Sequence, residues 1–203
     1  MIAIINYGMG NLGSVQNALT FLGLDSEIVD DPEQLKTYDK AILPGVGAFG
    51  QAMQNLNAKG QPQAIKEYVA QGKPLLGICL GMQLLLESSC ELGQYEGLGL
   101  IKGHVRSLKD KVKKLPIPHV GWNTMETGCP SKIFNNDPAI EPAFYFVHSF
   151  YCDVEDKNTV AGTAMYEIKI DVAVEKDNLF GCQFHPEKSQ KHGLEILKKF
   201  GQL

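Results

Sequence analysis

The first half of the chain alternates short apolar runs with stretches whose apolar residues return every three or four positions. Residues 2–6, 26–29, 40–43 and 75–78 are the short runs, each rich in Ile, Leu or Val and too brief for a helix. Between them, Leu12, Val15, Leu19 and Leu22 mark one face of a helix over residues 12–22. Pro32 opens a short helix over residues 32–38, and residues 49–56 and 61–71 also follow the helical period. After the fourth run, Met82-Gln83-Leu84-Leu85-Leu86 reads as a further helix. Repeated strand–helix units predict a parallel sheet with helices on both faces.

The second half changes character. Residues 100–108, 120–124, 144–153, 159–165, 172–176 and 180–184 read as strands. Gly128-Cys129-Pro130 and Asn135-Asn136-Asp137-Pro138 are turn signals between them. Hairpins and antiparallel additions are expected here, and a helix over residues 192–200 closes the chain. With no repeat, low-complexity tract or linker, the expectation is a single domain over residues 1–203. Its class is α/β: a doubly wound, mostly parallel sheet with an antiparallel β extension in the second half.

Composition narrows the function classes. Of the 203 residues, 44% are hydrophobic and 21% charged, as in an ordinary globular protein. A net charge of -4 gives no reason to expect nucleic acid or an anionic membrane as partner. No apolar run approaches the ~20 residues of a membrane-spanning helix. Met1-Ile2-Ala3-Ile4-Ile5 lacks a basic leader and reads as a first strand, not a signal peptide. The basic run over residues 109–114 is expected to be a solvated loop or strand end. The five cysteines are odd in number and lack metal-ligand spacing. That argues against a disulfide framework or zinc site and for a reducing cytoplasm.

One cysteine has a special context. Gly77-Ile78-Cys79-Leu80-Gly81 lies between an apolar strand and a helix, the pattern of a nucleophile elbow. The turn is sharp, so its glycines are expected where no Cβ fits. A thiolate at the first turn of a helix is favoured by the positive end of the helix dipole. Such a nucleophile needs a base, and the base needs an orienting group. Of five histidines, His104, His119 and His192 carry no pattern, and His148 in an aromatic strand reads as a core residue. His185 ends an apolar strand and is followed by Pro186-Glu187, placing a carboxylate two residues on, beside its ring. Cys79, His185 and Glu187 all sit at predicted C-terminal strand ends, where doubly wound sheets form their ligand crevice.

Two glycine loops remain. Pro44-Gly45-Val46-Gly47-Ala48-Phe49-Gly50 follows a strand and is placed to offer a backbone N–H to an oxyanion, with Leu80 as the second donor. Gly8-Met9-Gly10-Asn11-Leu12-Gly13 fits G-x-G-x-x-G, with Asp30 and Asp31 about 20 residues on. Alone, that loop suggests a dinucleotide-dependent oxidoreductase, a reading that leaves Cys79 and His185-Pro186-Glu187 unused. A non-catalytic binding module on the same fold is the third reading.

Gly77 to Gln83 together with Phe184-His185-Pro186-Glu187 resembles the class I glutamine amidotransferases. Asn6 to Asn11, Pro44 to Gly50, Pro118-His119-Val120-Gly121-Trp122-Asn123 and His185 to Ser189 narrow the resemblance to the glutaminase subunits of imidazole glycerol phosphate synthase. The resemblance implies the class I glutaminase fold and a lyase complex in histidine biosynthesis, cytoplasmic, with no cofactor or metal. It implies that Cys79 attacks the side-chain amide of glutamine, that His185 shuttles the proton and that Glu187 orients it. It also implies substrate contacts from Gln83, Glu91 and the backbone at His148-Ser149, with Gly47 and Leu80 at the oxyanion site. The implied partner is a (β/α)₈ barrel cyclase subunit in a heterodimer. That partner uses ammonia to make imidazole glycerol phosphate and aminoimidazole carboxamide ribotide. Met9, Asn11, Trp122 and Lys188 then become candidates for the partner interface. A poor glutaminase in isolation is expected, since unreceived ammonia wastes glutamine. One residue departs from the family pattern: Phe150 follows His148-Ser149 where Tyr is frequent, so a hydroxyl contact is not expected there. A paralogue serving a different ammonia acceptor stays open.

Overall fold

The computed structural model describes residues 1–134 and 142–203, so the predicted turn at Asn135-Asn136-Asp137-Pro138 lies outside the described residues. The first half runs β1 (Ile2–Ile5), α1 (Leu12–Phe21), β2 (Ser26–Val29), α2 (Pro32–Leu35), β3 (Lys40–Leu43), α3 (Phe49–Ala58), α4 (Gln61–Ala70), β4 (Leu75–Ile78) and α5 (Leu80–Leu84). The second half adds β5 (Ser88–Ser89), β6 (Tyr95–Glu96), β7 (Gly103–Ser107), β8 (His119–Thr124), β9 (Glu126–Thr127), β10 (Ala143–His148), β11 (Phe150–Val154), β12 (Val160–Tyr166), β13 (Ile168–Lys176), β14 (Leu179–Cys182) and α6 (Gln190–Gln202).

The parallel part of the sheet has the order β2-β1-β3-β4-β14. β13 joins β14 antiparallel and carries the extension through β11 and β7. β8 and β10 form a separate antiparallel ribbon, in register from Ala143 opposite Thr124 to His148 opposite His119.

Strand side chains alternate between faces, and both faces are buried. Ile2, Ile4, Ile42 and Leu76 meet Val15 and Leu19 of α1 and Ile196, Leu197 and Phe200 of α6. Ala3, Ile5, Leu43 and Leu75 meet Phe49, Met53 and Leu56 of α3 and Ile65 and Tyr68 of α4. Each such aliphatic side chain contributes roughly 1.5–3 kcal/mol by leaving water. The two layers hold the C-terminal ends of β3, β4 and β14 at one edge, where the candidate residues gather.

Three expectations need correction. Residues 144–153 are not one strand: β10 pairs with β8 in the ribbon, and β11 pairs with β7 in the main sheet, so the chain must break at Ser149. Aromatic alternation runs on through the break and carries no mark of it. The strand expected over residues 180–184 stops at Cys182, and the helix after Cys79 starts two residues earlier than expected, at Leu80. β5, β6 and β9 are two residues each, too short to leave a periodic signal.

Candidate active site

Cys79 occupies the turn between β4 and α5 with φ 54° and ψ -108°, a conformation that costs an L-residue about 1–3 kcal/mol. Packing enforces it. A Cβ on Gly77 would lie 2.7 Å from the Gly81 carbonyl, and one on Gly81 would overlap the carbonyl oxygen of Leu43. The Cys79 N–H donates to the Cys182 carbonyl at 2.7 Å, tying the elbow to β14. Leu80 is the first residue of α5, so its N–H has no acceptor within the helix.

His185 follows β14 and sits 2.8 Å, through Nδ1, from Oε1 of Glu187. Both side chains are 2% exposed. A single 3₁₀ turn, Pro186–Lys188, brings the carboxylate back onto the ring; the expected strand alternation does not. The His185 N–H donates to the Tyr145 carbonyl, and the Ser189 hydroxyl donates to the His185 carbonyl, fixing the backbone on both sides. With Nδ1 on Glu187, Nε2 is the nitrogen left over; it is buried and has no hydrogen-bond partner among the described residues. Burial alone would push the imidazole down, but Cys79 and Glu187 beside it outweigh burial and raise its pKa to about 9. The ring therefore carries its proton at neutral pH, next to the sulfur.

A cavity of about 370 Å³ opens at the elbow. It is lined by Cys79 and by all six residues expected around a substrate: Gly47, Leu80, Gln83, Glu91, His148 and Ser149. Val46, Pro118, Val147 and Phe150, none of them expected as a substrate contact, complete it. Gly47 has φ 109°, reserved for glycine, and a Cβ there would strike Met9 at 2.6 Å. Glu91 reaches across from the loop after β5, and Oε2 accepts the Phe49 N–H at 2.7 Å, at the start of α3. His185 and Glu187 are buried behind the lining.

The hydrogen bonds behind the cavity assign their own directions. The Phe150 carbonyl can only accept, so His148 Nδ1 (2.8 Å) and Gln83 Nε2 (3.0 Å) both donate to it. His148 Nε2 must then accept, and His119 Nδ1 donates to it at 2.9 Å. Burial lowers the pKa of His148 to about 3 and that of His119 to about 4, keeping both rings neutral as this tautomer chain requires. The other hydrogen of Gln83 Nε2 goes to Gln183 Oε1 at 3.0 Å, which turns Gln183 Nε2 toward Cys79 Sγ at 3.7 Å. His148 is thus both a satisfied core histidine and a wall of the cavity. His119 and Gln183 were missed; the available signal for Gln183 was an amide in an otherwise apolar strand, two residues before His185.

Of the interface candidates, Met9 is partly buried and packs against the core beneath α3, and the other three lie at the surface. Trp122 is half exposed and packs edge-on against Tyr145. Asn11 and Lys188 are exposed, and Asn11 also caps α1 by accepting the Ser14 N–H. Asp30, the acid expected for a ribose, is taken by Lys59 at 2.7 Å and Asn6 at 3.0 Å. A more open groove of about 880 Å³ lies between Leu22 and α6 and holds none of the residues above.

Comparison with known proteins follows the same line. A family described as glutamine amidotransferase class-I matches residues 3–202. The chain is 50% identical over 202 residues to "Imidazole glycerol phosphate synthase subunit HisH" of Moorella thermoacetica, covering 100% of this chain and 94% of that protein. It is 46% identical over 203 residues to the same-named subunit of Bacillus subtilis, covering 98% and 95%. Among solved structures, "Crystal structure of glutamine amidotransferase" superposes with a TM-score of 0.76 at 16% identity, covering 100% of both chains. "Structure of PurLQS from Thermotoga maritima" does so with a TM-score of 0.76 at 20% identity, covering 98% and 96%.

Proposed function

The chain belongs to the class I glutamine amidotransferases, and we propose that it is the glutaminase subunit of an imidazole glycerol phosphate synthase. In this role it makes ammonia from glutamine for a cyclase partner in histidine biosynthesis. The observation that carries the reading is the strained Cys79 elbow at the cavity, backed by the buried His185–Glu187 pair.

The Cys79 thiolate attacks the side-chain amide carbon of glutamine. The Leu80 N–H, unused within α5, and the glycine loop at Gly47 receive the oxyanion. Each donor of this kind is worth roughly 3 kcal/mol of barrier. Nε2 of protonated His185 gives its proton to the departing nitrogen, the C–N bond breaks and ammonia leaves. The neutral imidazole then takes a proton from water, hydroxide adds to the thioester, and the C–S bond breaks to release glutamate. Glu187 holds Nδ1 throughout, so only Nε2 faces the chemistry. Glu91, fixed by the Phe49 N–H, supplies negative charge for the substrate ammonium, and Gln83 orients the glutamine chain.

The partner is a (β/α)₈ barrel cyclase bound as a heterodimer on the surface carrying Met9, Asn11, Trp122 and Lys188. Free ammonia is protonated and lost in water, so a docked acceptor suits the chemistry. The decisive test compares glutamine-dependent with ammonia-dependent imidazole glycerol phosphate formation, in the complex, for wild type and Cys79→Ala. Loss of the glutamine-dependent rate with the ammonia-dependent rate intact is the expected result. A parallel fall of both rates would reduce Cys79 to a structural residue.

A further inference from the structure

Gln183 is fully buried at the end of β14, between Cys182 and Phe184, which are both fully buried themselves. An amide in such a place is costly unless each of its polar groups is used. Here both ends are used, and in one order only. The Phe150 carbonyl forces Gln83 to present Nε2, Gln83 forces Gln183 to present Oε1, and Gln183 is left with Nε2 against the Cys79 sulfur. Reversing Gln83 would set its oxygen against the Phe150 carbonyl, and reversing Gln183 would set two NH2 donors against each other and an oxygen against the sulfur. The neutral His119–His148 pair holds the far end, because His148 Nδ1 donates to the same carbonyl.

We propose that Gln183 is a positioning residue for glutamine hydrolysis. Its amide N–H holds the Cys79 sulfur, and its oxygen holds Gln83, so nucleophile and substrate-facing side chain are fixed by one group. This deepens the proposed function and rests on its reading of Cys79 as nucleophile. Two N–H groups from one segment then approach the sulfur, and they differ in kind. The imidazolium of His185 can transfer its proton; the amide of Gln183 cannot. Gln183 therefore keeps a hydrogen bond on the thiolate when it re-forms at thioester cleavage, without consuming a proton.

Two variants in the complex with the cyclase test this. Gln183→Glu keeps the volume and the oxygen that accepts from Gln83 but removes the amide N–H. Gln183→Met removes both. Two readouts are needed: alkylation of Cys79 by iodoacetamide at pH 7, located by mass spectrometry, and kcat and KM for glutamine. Alkylation and kcat should fall on the order of ten- to a hundredfold in both variants, the weight of a hydrogen bond to a charged partner. KM should rise further in Gln183→Met, where Gln83 loses its partner, while ammonia-dependent synthesis stays at the wild-type rate. Wild-type alkylation and kcat in Gln183→Met would overturn the proposal, and so would a Gln183→Glu variant as reactive as wild type. Cys79→Ala separates the two readings. If it still hydrolyses glutamine, the nucleophile assignment fails and this inference with it. If it is inactive while both Gln183 variants behave as wild type, this inference alone fails.

Discussion

The carboxylate of Glu187 lies 2.8 Å from Nδ1 of His185, and neither side chain is more than 2% exposed. Each group has one atom, Glu187 Oε2 and His185 Nε2, without a partner among the described residues. A buried pair of this kind is poor value as a stabilising device, since desolvation offsets most of its attraction. Its worth is in aiming the ring and keeping it charged.

The pH dependence follows from that charge. The His185 pKa is raised to about 9, above its ordinary value of 6.5. Stabilisation of the protonated ring is complete below about 6.5 and is lost as pH climbs through about 9. Glutamine-dependent kcat in the complex should therefore fall on the alkaline side near pH 9. In Glu187→Gln the alkaline limb should move down by at least about one unit, since one of the two favourable neighbours has lost its charge. A pH–rate profile of both proteins decides this; an unmoved limb would mean that Glu187 does not set the His185 charge.

The elbow makes a prediction about folding. A methyl on Gly81 must displace the Leu43 carbonyl of the neighbouring strand, so Gly81→Ala should lose about 2–3 kcal/mol or more. That corresponds to a Tm lower by roughly 4–12 °C in a chain of this size. Gly13, within α1, has nothing within 4 Å of a built Cβ. Gly13→Ala should leave Tm unchanged or raise it, because alanine is the better helix former by about 1 kcal/mol. Thermal unfolding of the two variants side by side is the measurement.

Neutral buried histidines make the protein acid-sensitive. His148 and His119 have pKa values lowered to about 3 and about 4, so below pH 6.5 the unfolded chain binds protons that the folded one refuses. Stability should drop as pH falls from 6.5 toward 4, by about 1.4 kcal/mol per pH unit for each histidine. Denaturant unfolding of His119→Gln should show a shallower loss between pH 7 and pH 5 than wild type. Equal slopes would mean that His119 charges freely in the fold.

Glu91 gives a binding prediction. Glu91→Gln keeps an oxygen to accept the Phe49 N–H and removes only the charge. KM for glutamine should rise about ten- to a hundredfold, the weight of a charged hydrogen bond, with kcat changed far less. Steady-state kinetics of the complex separates the two parameters. A fall in kcat at constant KM would assign Glu91 to the transition state instead.

Much of this was legible in the chain because the signals are local. Short apolar runs and the 3.6-residue apolar period located β1 to β4 and the helices between them, and Gly77 and Gly81 announced a turn without room for a Cβ. His185-Pro186-Glu187 carried its own orienting acid two residues away. Even there the sequence located the partners and mistook the backbone: a 3₁₀ turn, not strand alternation, brings Glu187 onto the ring. What it did not carry was every relationship between distant strands. The break at Ser149 exists because His148 pairs with His119 in one sheet and Phe150 with Ser107 in another. The role of Gln183 exists because Gln83, on another element, meets it and the Phe150 carbonyl at once. Local sequence decides which backbone shapes are allowed and which faces are apolar. Hydrogen-bond direction in a buried network is decided only where the chain's remote parts close on one another and each donor must find an acceptor.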